Sequence, residues 1–124
     1  MILVDTSVWV DHLRAGNATL ADLLEGGSVL IHPSVIGELA LGNLRRRGDV
    51  LPLLHALPQA VVATDAELLS LIDDEALYGS GIGYVDAQLL AATRLTPGIK
   101  LWTEERRLAS MARRLGIGYT ATPN

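Results

Sequence analysis

The chain has 124 residues, with 10 Lys plus Arg against 14 Asp plus Glu, no Cys and no Phe. That length predicts a single domain over residues 1–124, and a chain of this size buries a little over ~60% of its unfolded surface without needing staples. An apolar content of 49% with mean hydropathy +0.31 excludes intrinsic disorder. The absence of Cys excludes disulfides, thiolate catalysis and Cys-based metal sites, and a net charge of −4 argues against binding nucleic acid by bulk charge.

The N-terminus has neither a basic leader nor a small-residue cleavage site. The longest apolar tract, Val50 to Ala63, is interrupted by Pro52, His55, Pro58 and Gln59, well short of the roughly 18–20 residues of a membrane span. A cytoplasmic protein that does not engage a membrane is the expectation.

Met1 to Val4 is a short apolar run suited to a strand buried on both faces. Asp5-Thr6-Ser7 then opens a helix through Leu13. Leu20 to Leu24 is part of a second short helix that closes at Gly26-Gly27, and Val29 to Ile31 is a second buried strand. Pro33-Ser34 starts a helix that stops at Gly42. Val50 to Leu57 and Asp65 to Tyr78 read as helices flanking a weak strand at Ala60 to Ala63. Gly79 to Gly83 is a loop before a helix ending near Leu95; Ile99 to Trp102 is a strand, Glu104 to Leu115 a helix and Gly118 to Ala121 a final strand. Apolar strands alternating with helices predict an α/β fold with a parallel sheet covered on both faces. Sites in such sheets form outside the carboxyl ends of the strands.

Several acids fall in unusual places. Asp5 ends the first buried strand, where helix capping is the structural alternative. Glu38 lies beside an apolar stripe of Val35, Leu39 and Gly42, unless its carboxylate reaches out to water. Asp86, with Ile82, Leu89 and Leu90 at helical offsets, is an acid on an apolar face in a first turn. The helix dipole accounts for its sign but not its face. Glu104 and Glu105 follow Thr103 at a strand end, where a capped first turn also accounts for them. Carboxylates brought within ~4 Å repel by about 4 kcal/mol per pair at an effective dielectric near 20. A cluster of them therefore protonates or recruits a cation. An all-oxygen set suits Mg²⁺ or Mn²⁺, one or two ions, in the service of phosphate chemistry.

Four segments in order carry a family resemblance that covers nearly the whole chain. They are Ile2-Leu3-Val4-Asp5-Thr6-Ser7-Val8-Trp9, Ser34-Val35-Ile36-Gly37-Glu38-Leu39, Gly81-Ile82-Gly83-Tyr84-Val85-Asp86-Ala87 and Leu101-Trp102-Thr103-Glu104-Glu105-Arg106-Arg107-Leu108. The chain resembles the PIN-domain ribonucleases, and within them the VapC-type toxins of toxin–antitoxin pairs. By position the resemblance implies that Asp5, Glu38 and Asp86 bind metal, with Glu105 as the fourth acid where Asp is more usual. Glu is one methylene longer, so its ligation is direct, water-mediated or absent, with Glu104 as the alternative fourth acid. Thr6, Ser7 and Thr103 are implied to orient ligands or water. The resemblance further implies a three-layer α/β/α sandwich, a homodimer within a higher toxin–antitoxin complex, and inhibition by a small VapB-type antitoxin. The mechanism expected is metal-dependent RNA hydrolysis, in which a bound water of lowered pKa attacks phosphorus in line and leaves a 5′-phosphate.

Other signals are weaker. His12, His32 and His55 have no metal-ligand spacing, and Ser7 has no neighbouring base. Gly79-Ser80-Gly81-Ile82-Gly83 resembles a phosphate loop, but Tyr84 stands where a dinucleotide fingerprint needs its third Gly. Arg45, Arg46 and Arg47, and the strip of Arg106, Arg107, Arg113 and Arg114, are either solvated charge or phosphate contacts for RNA. Leu51, Leu53, Leu54 and Leu57 either pack in the core or form an antitoxin face. Rival readings are a non-catalytic PIN fold and a receiver-like signalling module. The receiver wants an acid pair after the first strand, where Asp5 is followed by Thr6-Ser7.

Overall fold

Ile2, Leu3 and Val4 have no polar side to offer water, and all are buried in β1, Ile2–Val4. The computed structural model describes residues 1–120. β1 is the centre of a parallel sheet, flanked by β2, Val29–Leu30, and β3, Lys100–Trp102, in the order β2-β1-β3. Register pairs Leu3 with both Leu30 and Leu101, and the three leucines are almost fully buried. Side chains of this kind contribute about 1.5–3 kcal/mol each when removed from water. Single parallel bridges widen the sheet at both edges, Ile31 with Gln59 and Leu101 with Gly118.

Among the described residues, seven helices cover this sheet in an α/β/α arrangement: α1, Thr6–Ala15; α2, Ala18–Glu25; α3, Pro33–Leu41; α4, Arg47–His55; α5, Asp65–Asp74; α6, Tyr84–Leu95; and α7, Arg106–Arg114. α3 packs on α1 and α4, whereas α6 packs on α5 and β3. The chain visits β1, then β2 and its outer bridge, then crosses back past β1 to β3. Strand order therefore reverses beside β1, the place in such sheets where sites form outside the carboxyl ends of the strands, here β1 and β3.

Several boundaries differ from the sequence-based expectation, each for a local reason. The strand expected at Ala60 to Ala63 pairs earlier: Ile31 donates to the Pro58 carbonyl and Ala60 donates to that of Ile31. Val61 leaves the sheet, its N–H donating to the Thr96 hydroxyl instead. The last strand reduces to a bridge in which Leu101 donates to Ile117 and Tyr119 donates to Leu101; Ala121 lies outside the described residues. α2 begins at Ala18 because Asn17 accepts the Leu20 N–H. α4 begins at Arg47, with Arg46 in the left-handed region at φ 55. α7 begins at Arg106, so Glu104 and Glu105 precede the helix rather than fill its first turn.

The end of α5 is the most instructive difference. Leu77 donates to the Ile72 carbonyl and Ala76 to that of Asp73, closing the helix four residues before Tyr78, its expected end. The same closure ends α2, where Ser28 donates to Leu23, and α7, where Ile117 donates to Ala112. The left-handed residue is Gly27 at φ 66 and Gly116 at φ 74 in those two helices, but Ala76 at φ 50 in α5. With no Gly to mark it, the stop was invisible in the sequence. Exposed Ala76 gains no packing from its methyl. Ala76→Gly therefore raises stability by about 0.5–1 kcal/mol, read as a higher urea midpoint at unchanged slope; a lower midpoint overturns the assignment of strain.

Candidate active site

Asp5 takes the carboxyl end of β1 and remains in the ladder, its N–H donating to the Trp102 carbonyl at 2.9 Å. Only 4% exposed, its carboxylate is the most buried acid among the described residues. A carboxylate taken from water must regain hydrogen bonds. Ser7 supplies one at 2.9 Å and Thr103, at the end of β3, another at 2.7 Å, both to Oδ2. Among the described residues no hydrogen bond reaches Oδ1, so that oxygen stays available to a ligand.

The two hydroxyls are themselves fixed. They lie 3.3 Å apart; Ser7 Oγ accepts the Glu104 N–H and Thr103 Oγ1 accepts the Glu105 N–H, each at 3.0 Å. The turn that leads from β3 into α7 is thereby folded onto the Asp5 carboxylate. Glu105 is the N-cap residue of α7, its exposed carboxylate capping no backbone N–H. Glu104 points elsewhere: its carboxyl is pushed above the usual range by a hydrogen bond with Asp11, then by burial and by the Asp11 charge. Asp11, held at 3.2 Å by Arg14, was not singled out in the sequence. On the solvent side of α1 among other charges, it carries no pattern that would have marked it.

Thr6, first residue of α1, donates to Glu38 Oε1 at 2.6 Å. Glu38 sits one face away from buried Val35 and Leu39 with its carboxylate in solvent, so it is tied to the residue after Asp5 rather than buried. Asp86 lies in the first turn of α6, where its Oδ2 accepts the Gly83 N–H at 3.2 Å. Burial raises its pKa, and the Asp5 charge raises it further, against a lowering by the Gly83 bond. Asp5 and Asp86 therefore share one electrostatic environment.

These residues bring Asp5, Ser7 and Thr103 into direct contact, Glu38 to Thr6, and Asp86 within reach of the Asp5 charge. Among the described residues no three Asp, Glu or His side chains converge closely enough to enclose a cation in their present rotamers. The donor set nonetheless fits a hard cation, being carboxylate and hydroxyl oxygen around one unpartnered oxygen of a buried Asp. His32 caps the start of α3: buried, its Nδ1 accepts the Ser34 N–H at 3.0 Å, and burial lowers its pKa.

The arginines divide. Arg46 pairs with Asp49 at 3.1 Å and Arg47 donates to the Ala40 carbonyl. Arg107 lies over Gly81, where a Cβ would sit 2.7 Å from its Nη1; it braces the loop entering α6. Arg45 and Arg106 make no hydrogen bond or ion pair among the described residues. Beside Glu38, a groove of about 880 Å³ runs between α1, α3 and α4, lined by Val10, Leu13, Leu39 and Leu53 with Arg14, Arg45 and Arg46.

Residues 2–114 match the family model described as PIN domain. The chain is also 47% identical over 117 residues to the protein named Ribonuclease VapC32 in two strains of Mycobacterium tuberculosis, CDC 1551 / Oshkosh and ATCC 25618 / H37Rv, covering 94% of each chain.

The raised Asp86 pKa has a measurable consequence. The folded state then holds that proton more tightly than the unfolded chain does, so stability falls as pH rises through the folded pKa. Asp86→Asn keeps an oxygen for the Gly83 N–H and removes the charge. In protein treated with EDTA, this variant melts above the wild type at pH 7, and the gap closes on acidification as the wild-type carboxyl becomes neutral. Equal melting temperatures at pH 7 would show that the charge carries no cost.

Proposed function

The chain belongs to the PIN-domain family, and we propose that it is the toxin of a type II toxin–antitoxin pair, a cytoplasmic metal-dependent endoribonuclease. The observation that carries this reading is the buried Asp5 carboxylate at the strand-order reversal, held on one oxygen by Ser7 and Thr103. The name of the Mycobacterium tuberculosis relatives supports the ribonuclease assignment.

Asp5, Glu38, Asp86 and Glu105 are the residues that would hold Mg²⁺ or Mn²⁺, one or two ions. A divalent ion bound there supplies water activation and neutralises charge on the phosphoryl oxygens. The protein's own part is orientation. Ser7 and Thr103 fix the Asp5 plane, Thr6 steers Glu38, and the Gly83 N–H steers Asp86. Hydrolysis adds water across the phosphodiester: the P–O3′ bond breaks, a 3′-hydroxyl leaves and the phosphate stays on the 5′ side. Arg45, Arg106 and Arg113 make no hydrogen bond or ion pair among the described residues and are free to meet substrate phosphates, whereas Arg46, Arg47, Arg107 and Arg114 already serve the protein.

The groove beside Glu38 suits a VapB-type antitoxin segment, having apolar walls for its side chains and arginines at the rim. A homodimer assembled into a larger toxin–antitoxin complex completes the reading. Within α4 the leucines part company: Leu54 is 3% exposed and belongs to the core, whereas Leu53 is 69% exposed and lines the groove.

Two experiments test these assignments. Inducing the wild type in cells produces new RNA ends bearing 5′-phosphate, and Asp5→Asn abolishes them; identical end profiles, or 2′,3′-cyclic phosphate on the other fragment, would overturn the mechanism. Leu53→Asp leaves the melting temperature unchanged and lowers affinity for the cognate antitoxin by roughly ten-fold or more, as loss of a central apolar contact does. Unchanged affinity removes the groove as the antitoxin site.

A further inference from the structure

The face of α3 that carries Glu38 is defined by one more residue. Ser34 stands four positions earlier, one helical turn away on the same side. Its hydroxyl reaches out of α3 altogether and donates to Oε1 of Gln88 on α6 at 2.5 Å, with both side chains half-buried. Among the described residues this is the one hydrogen bond between α3 and α6, helices whose main packing partners lie elsewhere. The backbone of Ser34 is also held, its N–H donating to the buried His32 imidazole at 3.0 Å. One end of the link is therefore rigid at both backbone and side chain.

We propose that Ser34 and Gln88 form an interhelical clamp that fixes α3, which carries Glu38, relative to α6, which carries Asp86, making both positioning residues for the metal-dependent reaction. Glu38 and Asp86 come from separate helices, and apolar packing alone leaves a helix free to turn or slide by small amounts. Gln88 is two residues from Asp86, about 200° around the same helix at 3.6 residues per turn. Holding Gln88 against α3 therefore fixes the rotation of α6, and with it the direction of the Asp86 carboxylate. Ser34, a turn from Glu38, fixes the same reference on α3. The clamp touches neither acid and acts only through the helices that carry them.

The proposal rests on the assignment of the acids as metal ligands, so the experiment measures ion binding directly, without RNA. Free Mn²⁺ is followed by electron paramagnetic resonance during titration of the full chain, alongside the melting temperature of each variant without metal. Asp5→Asn serves as the control for the site. The wild type binds Mn²⁺ and Asp5→Asn does not. Ser34→Ala and Gln88→Leu each weaken binding by roughly three- to ten-fold, the size expected of coupling through a supporting residue. The double variant is no weaker than the worse single one, since both remove the same bond, and Ser34→Thr, which keeps the hydroxyl, binds as the wild type does. If the wild type binds and Asp5→Asn does not, but both clamp variants retain wild-type affinity, the clamp is overturned while the site stands. A lowered melting temperature with unchanged Mn²⁺ affinity likewise overturns the clamp, assigning the bond to stability alone. Absent Mn²⁺ binding in the wild type, or binding that survives Asp5→Asn, overturns both.

Discussion

Everything at this site follows from burying one carboxylate at the end of a central strand. Asp5 is too deep for water to solvate freely, so the fold must supply donors, and it does so from two elements: Ser7 from α1 and Thr103 from the end of β3. The same two hydroxyls accept the N–H groups of Glu104 and Glu105. The solvation of Asp5 and the path of the chain into α7 are thus one network. Because charge-assisted bonds of this kind are stronger than neutral ones, the network ties the carboxyl end of the sheet together while concentrating hydrogen bonding on a single carboxylate oxygen.

The cost of that arrangement appears at Asp86. Its carboxyl is pushed upward first by burial and then by the charge of Asp5, with the Gly83 N–H working in the other direction. A fold selected for stability alone has no reason to put two acids in one another's field. The placement makes physical sense when positive charge is to be drawn in, whether as a cation or through the arginines of a partner. The net charge of −4, which at first argues against an RNA partner, equals the charge that two divalent cations neutralise. Local concentration of acidity, rather than its total, governs what this surface attracts.

Much of this was legible in the sequence, and the parts that were not have two causes, one local and one long-range. Buried runs at Ile2 to Val4 and Leu101-Trp102 identified the strands, because only sheets covered on both faces tolerate such segments. Asp5 stood out for the same reason, as an acid at the end of an apolar run. The end of α5 was not legible because Ala76 fills a left-handed position that Gly occupies in α2 and α7. Glu104 and Glu105 were indistinguishable as neighbours in sequence. They separate only when Ser7 and Thr103 grip their N–H groups, leaving one carboxyl facing Asp11 and the other at the helix cap. Long-range hydrogen bonds made the difference in each site-level case, and a single sequence carries no record of them.

The arginines show why composition is a poor guide to docking. Arg45, Arg46 and Arg47 read alike as a basic run, yet one ends in an ion pair with Asp49 and another on the Ala40 carbonyl. Arg107 is similarly committed, bracing Gly81 and the loop that leads to Asp86. A guanidinium already bonded must surrender that bond to meet a phosphate, and its net gain shrinks accordingly. The arginines without a protein partner are therefore the ones that would gain most from a phosphate, while the committed ones hold the fold. The groove beside Glu38 extends the same logic: of its rim arginines, Arg14 and Arg46 are paired with Asp11 and Asp49 and Arg45 is not, and the rim adjoins both an apolar trough and the Glu38 carboxylate. A segment bound there would meet unpaired Arg45 and the Glu38 carboxylate together, so one groove joins apolar, cationic and anionic contacts.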